Sequence, residues 1–140
     1  MPDIMRHPLV EEWERRLDSI LQDVDQELEA RFGELYNLHP VRPANGETGN
    51  GQYDGLFRIT ASFTAGFGSD AGPGYVLTIG FATLEPVSAA NRATIEQEAI
   101  TRLRARIPEV FPGRTLSLIR DGAVWKIAGD LSLDAAEGRA

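Results

Sequence analysis

The sequence predicts an α+β fold: a two-layer sandwich in the order α-β-β-α-β-β, with a four-stranded, mainly antiparallel sheet and two helices on one face. Three observations carry this. Two long segments show helical apolar periodicity, two others alternate strictly with period two, and an Asp-Gly pair separates two short apolar runs near the C-terminus. Amphipathic helices and one-sided strands must bury their apolar faces against one another, and a single layer of each does so.

The first helix is expected from Pro8 to Phe32. Pro8 suits a first helical position, where its missing N–H is no loss, and Gly33 suits the residue just past the end. At 100° per residue, Leu9, Val10, Trp13, Leu17, Ile20, Leu21, Val24, Leu28 and Phe32 fall in one arc of about 140°. The opposite side is Glu, Asp, Arg and Gln. Its acid pairs at i,i+4, Asp23 with Glu27 and Asp25 with Glu29, read as a solvated face.

Residues 34–54 hold two X-Pro steps and a Gly/Asn-rich run, the composition of a mobile connecting loop. From Phe57 to Phe67 the odd positions are apolar and the even ones small, polar or charged, which predicts a half-buried strand. The run 68–74 turns the chain, and Tyr75, Leu77, Ile79 and Phe81 alternate on a second strand. Pairing Phe67 with Tyr75 sets Ala65 against Leu77, Phe63 against Ile79 and Ala61 against Phe81.

The second helix is expected from Ser88 to Ile107, stopped by Pro108, with Ile95, Ala99, Ile100, Leu103 and Ile107 on its apolar side. The final hairpin spans 114–133. With Asp121-Gly122 as a two-residue turn, Leu118 lies opposite Trp125 and Leu116 opposite Ile127. Trp125 then points into the core and Lys126 to the other face. Residues 134–140 are expected to fray. One domain accounts for all 140 residues.

Charge is unevenly distributed. Residues 1–55 carry 12 acidic and 5 basic side chains, whereas residues 56–140 carry 9 of each, so the net charge of −7 belongs to the first segment. Such a domain repels phosphate backbones, and no nucleic-acid partner is expected. The chain has no cysteine, no apolar run of membrane-spanning length and no signal-peptide core, which points to a soluble cytoplasmic protein without a membrane partner.

No motif for chemistry emerges. The glycine-rich run 66–74 lacks the Lys-Ser/Thr of a phosphate loop and stands between strands. Asn45, Glu47, Asn50 and Asp54 offer oxygen ligands but lack the spacing of a calcium loop. His7 and His39, the two histidines, have no ligand partners at metal spacing. No catalytic residue, metal or cofactor is therefore assigned. Arg92 and Glu96 break the apolar arc of the second helix and form a candidate groove pair.

The sheet face turned away from the helices is the more suggestive feature. Its expected residues include Arg58, Thr60, Ser62, Thr78, Gly80, Ser117 and Lys126, which apart from Arg58 and Lys126 are short side chains that let another surface come close. The functional expectation is a non-enzymatic protein-interaction module or adaptor, binding another protein or a second copy of itself as a homodimer through that face or a sheet edge. Size, acidity and mixed helix and strand are broadly similar to small secretion-type chaperones, though no motif carries that likeness. An alternative is a small-ligand domain holding an anion with Arg58 and Lys126.

Overall fold

The structure is a computed structural model that describes residues 8–66 and 72–129. Helix α1 spans Pro8–Phe32 and α2 Ala89–Val110; strands β1 (Phe57–Thr64), β2 (Gly74–Phe81), β3 (Leu116–Asp121) and β4 (Val124–Gly129) form one antiparallel sheet in the order β1-β2-β4-β3. The expected α+β order is thus observed. The tail 134–140 and His7 lie outside the described residues.

Both helices cover one face. Trp13, Leu17, Ile20, Leu21, Val24 and Leu28 of α1 and Ile95, Ala99, Ile100, Leu103 and Ile107 of α2 are buried with Phe57, Ile59, Tyr75, Leu77, Leu118 and Ile127 of the sheet. The odd-numbered Phe57, Ile59, Tyr75, Leu77 and Ile127 and the even-numbered Leu118 point to the helices, so the period-two pattern and the helical arc meet in one core. Trp13 locks the start of α1 into it, stacked between Tyr75 at 4.8 Å and Phe111 at 4.7 Å. On the outer surface Arg102 joins Glu27 of α1 at 3.0 Å and Glu98 at 2.8 Å, and Arg106 also pairs with Glu27.

Three local expectations are corrected. First, α2 continues through Pro108 to Val110. Pro108 removes one bond near the helix end, and burial of Phe111 against Trp13 holds the extra turn.

Second, β1 leaves the ladder after Thr64, so Phe63 pairs with Tyr75, Ala61 with Leu77 and Ile59 with Ile79. The hairpin connection is longer than expected, and 67–71 of it lies outside the described residues. Third, the last hairpin turns on Gly122-Ala123, pairing Asp121 with Val124, Arg120 with Trp125 and Leu118 with Ile127. Gly122 takes a φ of 63°, which suits a residue without Cβ at the first turn position. Asp121 stays in the strand, where its carboxylate meets Lys126 at 2.7 Å. Both shifts keep every side chain on its expected face, because each moves the pairing by an even count.

Candidate functional site

Four acids of α1, Glu14, Asp18, Asp25 and Glu29, fall within about 60° of one another on a helical wheel, along one flank of the buried stripe. The segment 34–56 covers the C-terminal half of this flank and leaves the N-terminal half, which lines a groove. That division defines the site.

The cover is the segment 34–56. Arg42 holds it together by donating to five carbonyls: Gly55 at 3.0 Å, Gln52 at 2.9 Å, Gly51 at 3.2 Å, Asp54 at 3.0 Å and Phe57 at 3.3 Å. Only a planar guanidinium has enough donors for this. Thr48 donates to Asp54 through its hydroxyl at 2.8 Å and its N–H at 2.9 Å, and Gly51 N–H donates to Gln22 of α1 at 3.1 Å. Gly51 sits so close to α1 that a Cβ there would lie 2.7 Å from Asp25 Cγ.

Asp25 and Glu29 are therefore buried rather than solvated, which overturns the expectation for that pair, whereas Asp23 is exposed and Glu27 half-buried; Asp25 is 2% exposed. Burial pushes the Asp25 carboxyl up to about 8, with Glu29 and Asp54 adding to the rise and Arg42 opposing it. Burial also raises Glu29, against the N–H groups of Phe57 and Leu56 that favour its charged form. At Asp54 burial is outweighed by Thr48, the Gly46 N–H and Arg42, and its carboxyl lies below the ordinary range. Asp25 Oδ1 and Asp54 Oδ1 accept no hydrogen bond. Among the described residues no group of His, Cys, Asp or Glu is placed to hold a metal ion.

The N-terminal half of the flank faces the outer edge of β1. Leu56 O accepts from Ala82 N–H, so even-numbered residues of β1 bond towards β2 and odd-numbered ones point outward. At Phe57 those outward groups are taken: its N–H donates to Glu29 at 2.8 Å, and Arg42 donates to its C=O. At Ile59, Ala61 and Phe63 no described residue bonds to them. A groove of about 600 Å³ runs along this edge, with Glu14, Leu17 and Asp18 of α1 on one wall, Gln52 at one end, and Arg58, Thr60 and Ser62 on the other side. Burial, then the neighbouring Glu14, raises the Asp18 carboxyl. Phe63, two residues beyond Ala61 on β1, is 59% exposed with its ring against Tyr75.

The opposite edge is treated differently. Arg104 of α2 donates to Leu118 O of β3 from two nitrogens, at 2.9 and 3.3 Å, and its side chain lines the smaller groove there, about 370 Å³. An arginine laid on an edge carbonyl blocks strand addition.

The residues expected on the free sheet face separate. Arg58, Ser62, Thr78 and Ser117 are exposed, and Thr60 and Gly80 half-buried. Lys126 has the expected facing but not the expected exposure. It is 2% exposed, paired with Asp121 and donating to Gly72 O at 2.9 Å, and Gly74 packs so closely that a Cβ there would lie 2.8 Å from Lys126 Cγ. Trp125 is half-buried rather than central, with Arg104 and Arg120 each 5.4 Å from its ring. Arg92 and Glu96 form no ion pair with each other. Arg92 lies 4.7 Å over the Phe81 ring.

The groove residues Glu14 and Asp18 were not singled out in the sequence. Their signal is the acidic flank itself: Glu14 lies at the margin of the apolar arc, at the angle of Phe32.

A family model described as "Uncharacterised protein" matches residues 8–129. The chain belongs to that family. The match takes in both helices, all four strands and the segment 34–56, so the whole groove lies within it. An uncharacterized protein of Borreliella burgdorferi is 41% identical over 118 residues, covering 84% of this chain and 92% of the relative. No solved structure matches. Among the described residues no helix is long and apolar enough to cross a membrane.

Proposed function

We propose that this protein is a non-enzymatic interaction module that takes up an extended strand of another polypeptide along the outer edge of β1. The observation that carries the reading is the row of outward N–H and C=O groups at Ile59, Ala61 and Phe63, open beside a groove, while the β3 edge is covered by Arg104. Edge strands left open in this way are templates for another strand, and main-chain bonds then supply affinity while side chains select the partner.

The occupant is a different chain rather than a second copy. Two copies joined at β1 would bring Glu14 and Asp18 of both to one seam, and like charges there oppose pairing. An anion-binding role has less support, because the Lys126 ammonium is engaged by Asp121 and Gly72 and leaves Arg58 without its expected companion.

Selection of binders from a displayed library of random peptides tests the reading. Selected peptides should lose binding to Ala61→Pro, since proline removes an outward N–H while sparing the β1–β2 ladder. Peptides that bind the wild type and Ala61→Pro equally would overturn it.

A further inference from the structure

Resting on the reading of β1 as a docking edge, we infer that residues 39–55 form a pH-released strap over that edge. A proton on Asp25 holds the strap against α1, and loss of that proton frees it and opens the Phe57 end of β1.

The strap has no anchor in the core. Leu38 packs against the core on one side of it, and Leu56 and Phe57 lie within the core on the other. No residue of 39–55 belongs to that cluster, and Val41 and Tyr53 are 81% and 58% exposed. Side-chain bonds tie it to α1: Gly51 N–H donates to Gln22 Oε1 at 3.1 Å, and Gln26 Nε2 donates to Asn45 Oδ1 at 3.2 Å. A segment that buries so little apolar surface opens locally while the helices and sheet stay packed.

Beneath the strap lies a dry carboxyl. Asp25 is 2% exposed, its Oδ1 accepts no hydrogen bond, and Gly51 of the strap presses directly on it. The charged groups that face it are Glu29 on its own helix and Asp54 and Arg42 on the strap. Arg42 gives its N–H groups to the carbonyls of Gly51, Gln52, Asp54, Gly55 and Phe57, so it meets the three acids only through space. Three carboxylates against one guanidinium leave an excess of buried negative charge, which is strongly disfavoured. Neutral Asp25 is the form that fits under a closed strap.

The direction of the response follows. With the strap down, burial keeps the Asp25 carboxyl protonated up to about 8, against an ordinary value of 3.8. Closing therefore takes up a proton, and each pH unit between about 4 and about 8 weakens closing about tenfold. Glu29, also raised by burial, acts in the same sense. Asp54, held below its ordinary 3.8, loses its share only in more acid solution.

Release changes the edge at one end. Arg42 covers the Phe57 C=O, and Gln52 lines the groove beside it. Both leave with the strap, while Glu29 of α1 stays on the Phe57 N–H. An incoming strand then gains the Phe57 carbonyl as an acceptor and room for a longer segment.

Hydrogen exchange of the full chain tests the strap without a partner. Protection of the Gly51 and Gly55 amides, relative to an unstructured chain, should fall about tenfold per pH unit from pH 5 to 7 and vary little with low urea. Leu103 of α2 should be better protected and respond steeply to urea. Asp25→Asn should remove the pH dependence at the strap, and the Asp25 carboxyl carbon of the wild type should titrate near 8. Strap amides with the urea dependence of Leu103 would mean that the strap opens only with the whole molecule, and would overturn the inference. So would an Asp25 carbon titrating near 3.8, or an unchanged pH slope in Asp25→Asn.

A peptide from the displayed library, blocked at both ends and free of histidine and cysteine, tests the effect on docking. It should bind the wild type about fivefold tighter at pH 8.5 than at pH 6, and Asp25→Asn equally at both. Equal affinity for the wild type at both values would overturn the gating and leave strand docking standing. Peptides indifferent to Ala61→Pro would overturn docking, and the gating with it, whatever the exchange shows.

Discussion

Glu29 of α1 accepts the outward amide proton of Phe57 at 2.8 Å, closing the first position of the β1 edge from the helix side. Arg42 closes the same residue's carbonyl from the other direction. The edge therefore begins with a built-in cap and, among the described residues, continues uncapped, and the proposed function follows from where that cap stops.

Arg42 is the clasp of the 34–56 segment. Arg42→Ala leaves five carbonyls without a donor and should lower unfolding free energy by about 2–4 kcal/mol in urea titration. Arg42→Lys should recover little of the loss, since an ammonium has three donors and no fork.

Asp25 sets a pH dependence. Its carboxyl keeps its proton to about pH 8 in the folded protein, whereas in the unfolded chain it releases it near its ordinary value of 3.8. The folded state binds the extra proton across that window, so this group's contribution to stability falls as pH rises from about 4 to about 8 and levels off above. Asp25→Asn removes the dependence. It should stabilise the protein by roughly 2–4 kcal/mol at pH 9 and change little at pH 4, read by urea unfolding at the two pH values.

The two tryptophans should differ. Trp13 is sandwiched between Tyr75 and Phe111 in the core, and Trp13→Ala should cost about 3–5 kcal/mol. Trp125 is half-buried under two arginines, and Trp125→Ala should cost about 1–2 kcal/mol. Equal losses in denaturant titration would place Trp125 in the core after all.

Much of the fold was legible because side-chain periodicity is local. The arc on α1 and the alternation in β1 and β2 each assign a buried face without knowledge of the partner surface. Register was less legible. The Asp121-Gly122 signal placed the turn one residue early because Asp121 is held in β3 by Lys126, a contact between strands. The strand order, and hence which strands are edges, has no local signature at all. Burial of Asp25 and Glu29 was hidden for the same reason: it depends on where the 34–56 segment folds back, which Arg42 decides through carbonyls spread from Gly51 to Phe57.

The central claim concerns the edge of β1, and residue-resolved hydrogen exchange of the free protein tests it without any partner. The account predicts alternation along the strand: fast exchange at Ile59, Ala61 and Phe63, whose amides point outward, and slow exchange at Thr60 and Ser62, which bond to β2. Amides of Ala61 and Phe63 protected as strongly as those of Thr60 and Ser62 would show the edge already occupied and contradict the account.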